Sequence, residues 1–302
     1  MTLTDSEVSD NTSAGNFGEG GGLYVRSGAV TVLGSTVSGN STSGSRADGG
    51  GIFTDSGSLT LISSTVSGNA TIGLEATGGG IGTRTGVLTL TNSTVTENTS
   101  TYLGGGVFVD DGTANPAITI ENSIIAGNFQ DVSAGTSGTP NDLVPDPDGV
   151  LTINHSLIGA ADNLTQPIVG NVGNQFGAAA NPVDPLLGPL ADNGGPTLTH
   201  ALLPGSPAID AGSNALALDQ GGSQFLNDQR GDGFDRIVSG TVDIGAFEFG
   251  TNTQGPAASS KAVVDDQNRL LSTAAVPTPL SGSQKIDAAF EDDDLLGDGL
   301  FF

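Results

Sequence analysis

Apolar residues fall at every second position in four short segments, "AVTVLGS", "SLTLISS", "VLTLTNS" and "AITIENS". They put Val30 and Val32, Leu59 and Leu61, Leu88 and Leu90, and Ile118 and Ile120 on one side of an extended chain. A period of two predicts β-strands with one buried face. The segments also recur in a fixed frame. Val8, Val37, Val66, Val95 and Ile125 are separated by 29, 29, 29 and 30 residues, and an asparagine follows each one three positions later: Asn11, Asn40, Asn69, Asn98 and Asn128. Glycine triplets open at Gly20, Gly49, Gly78 and Gly104. So short a unit, rich in Gly, Ser, Thr and Val, forms no helix and cannot bury its own apolar face. Stacked copies can, as a solenoid of parallel strands rising about 4.8 Å per turn.

Stacking turns equivalent positions into columns. Three residues past Leu23, Ile52, Ile81 and Val107 lie Arg26, Asp55, Arg84 and Asp110. Alternating charge is favourable at strand spacing and like charge is not, so this column is expected on the outer wall. Period two then sends Leu23, Ile52, Ile81 and Val107 inward, and Tyr24, Phe53, Gly82 and Phe108 outward. The asparagine column is expected at tight bends, with stacked amides bonded along the axis. The glycine triplets let the chain bend into each strand without a side-chain clash. Leu3 lies 29 residues before Val32, so the chain starts inside a turn, and the expectation is an N-terminally shortened form of a longer protein.

Composition narrows the function. The 302 residues carry 48 glycines, no cysteine and a net charge of −25. Acids outnumber bases everywhere: 16 to 3 over residues 1–165, 9 to 2 over 166–249 and 8 to 3 over 250–302. Nucleic acid needs a basic patch, so it is an unsuitable partner, and so is a tightly bound polyanionic sugar. Disulfides and thiolate metal sites are excluded. No apolar run approaches the roughly 20 residues of a membrane helix, and no secretory signal opens the chain.

The segments "GGGIF" and "TVSGN" stand where the "GGA(I/L)" and "FxxN" repeats stand in polymorphic outer-membrane proteins. Residues 1–165 thus resemble the surface-protein branch of the bacterial right-handed parallel β-helix proteins, in the pectate-lyase-like superfamily. After about Asn163 the repeat dissolves. Over residues 166–249, "DPLLGPLADNGGPTLTHALLPGSPAIDAG", "DQRG" and "VDIGAFE" resemble the choice-of-anchor block that ends many such proteins. The resemblance implies an exported bacterial protein, extracellular or at the cell surface. Leu186, Leu187, Leu190, Leu198, Leu202, Leu203 and Ile209 are expected to close the last open turn. Arg230 is expected to form a structural pair among Asp228, Asp210 and Asp243, and His200 to be packed rather than reactive. Residues 250–302 read as linker and acidic, apolar tail, expected to be disordered or to carry a sorting signal.

Lyases and glycoside hydrolases share this superfamily, so catalysis has to be weighed. The best carboxylate pair is Asp110–Asp111 in "GVFVDDG", but strand neighbours point to opposite faces. A "GHG"-like histidine is missing and His155 is isolated. Calcium is the one cofactor suggested, by the acidic turns "DPDG" (146–149) and "DGFD" (232–235), which match no calcium loop and read as solvated turns. Tyr24, Phe53 and Phe108 form a ligand strip interrupted at Gly82, suited to sugar rings or protein partners. The plainer expectation is that loops 41–48, 70–77 and 99–103 fold over them. The sequence therefore reads as a non-catalytic surface scaffold, adhesive or stalk-like, with cell-surface glycans or proteins as partners. The rival is a carbohydrate-active enzyme using groove carboxylates, and a third reading is a plain spacer.

Overall fold

The computed structural model describes residues 1–110, 116–131, 138–219 and 221–250, and the backbone of a short antiparallel pair, Val263–Val264 with Leu270–Ser272. Contacts divide the chain into two units, Met1–Ala257 and Ala258–Phe302. The tail's proposed sorting signal lies outside the described residues.

The first unit is built on stacked parallel strands. In the longest sheet, Leu23–Leu33 lies in register on Ile52–Ile62, pairing Leu23 with Ile52, Val30 with Leu59 and Val32 with Leu61. Leu3 pairs with Val32, as the 29-residue step requires. A second sheet runs through Glu7–Ser9, Thr36–Ser38, Thr65–Ser67, Thr94–Thr96, Ile124–Ile125, Leu157–Ile158 and Gln175–Phe176. A third, of two-residue strands, closes the cross-section. Both larger sheets continue past Asn163, with Ile168–Val172 as the last strand of the first. The interior is a column of aliphatics, including Ile52, Ile81, Val107, Leu61, Leu90, Ile120, Val66 and Val95. The inward assignment of the alternating positions therefore holds.

Two polar ladders run beside this core. Asn40 Nδ2 donates to Asn69 Oδ1 (3.0 Å), Asn69 Nδ2 to Asn98 Oδ1 (2.9 Å) and Asn98 Nδ2 to Asn128 Oδ1 (2.9 Å). Each amide oxygen also accepts the preceding asparagine's backbone N–H. A serine ladder at the neighbouring corner was not anticipated. Ser6 N–H donates to Ser35 Oγ, Ser35 to Ser64, Ser64 to Ser93, Ser93 to Ser123 and Ser123 to Ser156, at 3.0–3.3 Å. Both ladders satisfy backbone donors where the chain leaves one sheet for the next.

The C-terminal block does not sit over the open end as expected. It lies along the outer face of the second sheet and is received by a threonine column. Thr36 Oγ1 donates to Leu198 O (2.6 Å), Thr65 Oγ1 to Gln229 Oε1 (2.6 Å), and Ala246 N–H donates to Thr94 Oγ1 (3.1 Å). Gln229 Nε2 also reaches Thr36 Oγ1 and Thr197 Oγ1. One turn further, Ile124 replaces threonine and joins Leu157, Leu202, Ala208 and Ile244 in a second apolar cluster, with Leu187 and Ile209 packed against it. Of the leucines expected to cap, Leu186 and Leu203 stay exposed. The triplets Ser35–Val37, Ser64–Val66 and Ser93–Val95 thus divide labour: serine builds the ladder, threonine holds the block and valine fills the core.

Arg230 pairs with Asp228 alone (2.6 Å), between the rings of Phe234 and Phe247. Asp243 instead accepts the backbone N–H groups of Asp210 and Phe249. His200 is buried, donating Nδ1–H to Gly188 O and accepting from Ser67 Oγ (both 2.8 Å), the packed role expected of it. The block also holds a fully buried Arg236 that the sequence reading missed, bonded to Asp243 O and Gly245 O.

Burial pushes the Glu248 carboxyl from its ordinary 4.5 up to about 8, against the pull of Arg236 and the N–H groups of Asp243 and Val238. It likewise pushes Asp142 from 3.8 up to about 6. The folded values lie above the unfolded ones. The stability from holding these protons is whole below the unfolded values and is lost as pH rises through about 6 and about 8. Urea unfolding should therefore give a stability that falls between pH 5 and pH 9. Glu248→Gln should flatten the upper part of that slope, even where it lowers absolute stability. An unchanged slope would remove Glu248 as the cause.

Candidate ligand-binding groove

The alternating charges align as the repeat requires. Arg84 Nη1 lies 2.9 Å from Asp55 Oδ1, and its Nε lies 3.8 Å from Asp110 Oδ2. A third carboxylate was not foreseen: Glu19 Oε1 lies 2.6 Å from Arg84 Nη2. Glu19 comes from the loop before its strand, a contact between non-equivalent positions that no column reveals. Arg26 is exposed at the far end, outside this ion-paired group. Asp111 lies outside the described residues.

The aromatics do not form a strip. Tyr24 is 50% exposed and Phe53 only 3%. Phe53 was expected to face solvent, but its ring lies under its neighbours. Tyr24 stacks on it with centroids 6.1 Å apart, and the Arg84 guanidinium sits 5.3 Å from its centroid. Gly82 makes room for this: a Cβ there would come within 2.9 Å of Phe53 Cδ2. The gap in the aromatic column is the space into which Phe53 lies down. Phe108 remains half-buried beside it.

The loops expected to cover these residues stack into a wall next to them. Phe17, Arg46 and Glu75 share left-handed backbone, with φ of 61°, 54° and 55°. Phe17 N–H bonds to Ser45 O and Arg46 N–H to Leu74 O, so the loops are tied turn to turn. Between wall and sheet runs an open groove of about 510 Å³, lined among others by Phe17, Arg46, Asp48, Arg84, Tyr102 and Asp110. Phe17 and Tyr102 are more than half exposed. On the wall Arg46 pairs with Glu75 at 2.8 Å, an exposed contact that adds little stability.

Two groups set the groove's electrostatics. Burial works against the charge of Arg84, but its bonds to Glu19 and Asp55 outweigh that and hold its pKa above the ordinary value. It is a fixed cation. Burial raises the Asp48 carboxyl above the usual range, although the Thr77 N–H donates to it at 2.7 Å.

Residues 1–144 match the family described as "Right handed beta helix region". The matched residues form turns of the all-β parallel solenoid. The match ends near the largest change of step: Val107 pairs with Leu143, 36 residues on, and Leu151 with Ile168, 17 residues on, so the later turns first lengthen and then shorten. The groove lies wholly on the regular part of the β-helix. Neither the curated proteins nor the solved structures give a significant match. Among the described residues no helix is long and apolar enough to cross a membrane, and no group of three or more His, Cys, Asp or Glu side chains is placed to hold a metal.

Proposed function

We propose that this β-helix is a non-catalytic binding scaffold of an exported bacterial surface protein, with the groove beside Arg84 as its ligand site. The observation that carries the reading is the state of Arg84. A lyase needs a base that gives up its proton, and an arginine held by Glu19, Asp55 and Asp110 keeps it. Its charge is largely answered within the protein, and Asp48, Glu75 and Asp110 leave the groove acidic. A neutral or amino-bearing glycan, stacked on Phe17, Tyr24 or Tyr102, suits that surface. The choice-of-anchor resemblance of residues 166–249 supports surface attachment through the segment that follows.

One observation favours the enzyme reading. Glycosidases work with a pair of carboxyl groups, one of them raised by burial, and Asp110 lines the same groove as the raised Asp48. A glycan array combined with a reducing-end assay decides. Binding without turnover, weakened tenfold or more by Tyr102→Ala, is the expected result. Turnover abolished by Asp48→Asn would replace the scaffold with a hydrolase.

A further inference from the structure

The acidic turn at 146–149 exposes Pro147 and Asp148, but its first residue is not solvated as its sequence suggests. Asp146 is 1% exposed. Its Oδ1 accepts the Asp148 N–H at 2.7 Å, and its main-chain oxygen accepts from Gly149 N–H and from Gln166 Nε2. Its Oδ2 is buried and has no hydrogen-bond partner. Gln166 Oε1, on the same amide that reaches Asp146 O, is also buried without a partner. The Nε2 bond fixes that amide's orientation, since turning it over would set oxygen against oxygen. Two acceptors, one of them on a carboxylate, therefore meet no donor around one turn. A buried carboxylate left unmatched costs several kcal/mol, and proteins answer it with a paired charge or a metal.

The geometry points to a cation site: we propose that Asp146 Oδ2 and Gln166 Oε1 hold a calcium-class ion, with waters completing its shell. The donors are all oxygen, which selects a hard cation. Calcium accepts an irregular, partly hydrated shell where magnesium demands a near-ideal octahedron. A net charge of −25 raises the local cation concentration in the same direction. Asp146 and Gln166 also flank Val150–Asn154, which follows its stacked partner Ala117–Glu121 by 33 residues where the regular turns step by 29. An ion there braces the irregular turns against the regular ones. The site is separate from the groove and does not depend on its role.

Thermal unfolding of the full chain, stripped with chelator and titrated with CaCl₂ at constant ionic strength, tests this. The expected result is a midpoint rise of about 3 °C near ten times the dissociation constant, larger than with MgCl₂ or NaCl. Asp146→Asn keeps the Oδ1 contact and should lose the response. Gln166→Leu should weaken it. Asp148→Asn, whose part in the turn is its backbone N–H, should retain it. Terbium luminescence titrated against calcium gives a second readout that does not depend on stability. Equal shifts with all salts would mean that water or a proton satisfies these oxygens, and a calcium response that survives Asp146→Asn would place the ion elsewhere; either result would overturn the proposal.

Discussion

Gly79→Ala should lower the stability of the β-helix by more than about 4 kcal/mol, and we expect little folded protein to be recovered. The reason is steric. A Cβ on Gly79 would come 2.2 Å from Thr99 O and 2.5 Å from Gly105 O. Both are main-chain atoms of stacked turns, and neither can move without breaking the ladder it belongs to. Gly50 meets the same obstacle from Gly79 O and Ala70. Gly21, Gly50 and Gly79, the middle glycines of the first three triplets, therefore exist because two backbones pass over them, not because their own φ is unusual.

Gly68 supplies the control. Its φ is +65°, yet the nearest atom to an added Cβ is Gly39 N at 3.9 Å. Gly68→Ala should cost only the left-handed strain of an alanine, about 1–2 kcal/mol. Urea unfolding followed by far-ultraviolet circular dichroism measures both, since the chain has no tryptophan. A Gly79→Ala protein no weaker than Gly68→Ala would mean that the turns slide apart easily, and the rigid stacking described above would be wrong.

What could be read from the sequence was whatever repeats. The alternating aliphatics, the charge column and the asparagine column each hold one register, and the register alone puts Leu61 inside and Arg84 outside. The serine ladder was equally periodic. Ser35, Ser64 and Ser93 stand at 29-residue steps, but a small polar residue at a bend reads just as well as a solvated turn. The burial of Phe53 depends on one glycine in the next turn, and Glu19 reaches Arg84 from a position that is not equivalent to it. Contacts of that kind have no period. The C-terminal block was the least legible part. Its partners, Thr36, Thr65 and Thr94, lie more than 100 residues earlier, and threonine on a strand face does not announce what will cover it. The groove is in this respect half legible. Its sheet side follows from the columns, while its loop wall depends on left-handed backbone at Phe17, Arg46 and Glu75 that no residue type there encodes.

The asparagine ladder allows a test in which chemically small changes should have large and opposite logic. Asn69→Ala should cost about 3 kcal/mol or more. It strips the acceptor from Asn40 N–H and the donor from Val37 O and Asn98 Oδ1, all in the buried interior. Asn69→Asp should be at least as harmful at neutral pH, because the oxygen replacing Nδ2 would face Val37 O, Ser67 O and Asn98 Oδ1, with a buried charge added. Yet the ladder itself ends on an aspartate. Asp142 Oδ1 takes the last rung, accepting both Asn128 N–H and Nδ2 at 2.8 Å, and Oδ2 accepts the Ala160 N–H at 2.6 Å. Here every neighbour is a donor, so an amide would set N–H against N–H. Asp142→Asn should therefore destabilise by about 1–3 kcal/mol and remove the pH step near 6. The two substitutions exchange the same pair of residue types in opposite directions, and both should lose stability in urea unfolding at pH 8. If Asn69→Asp folds as well as the natural chain, the donors and acceptors along the axis are not fixed. The ladder would then be a row of polar side chains filling space, with the aliphatic column alone holding the turns together.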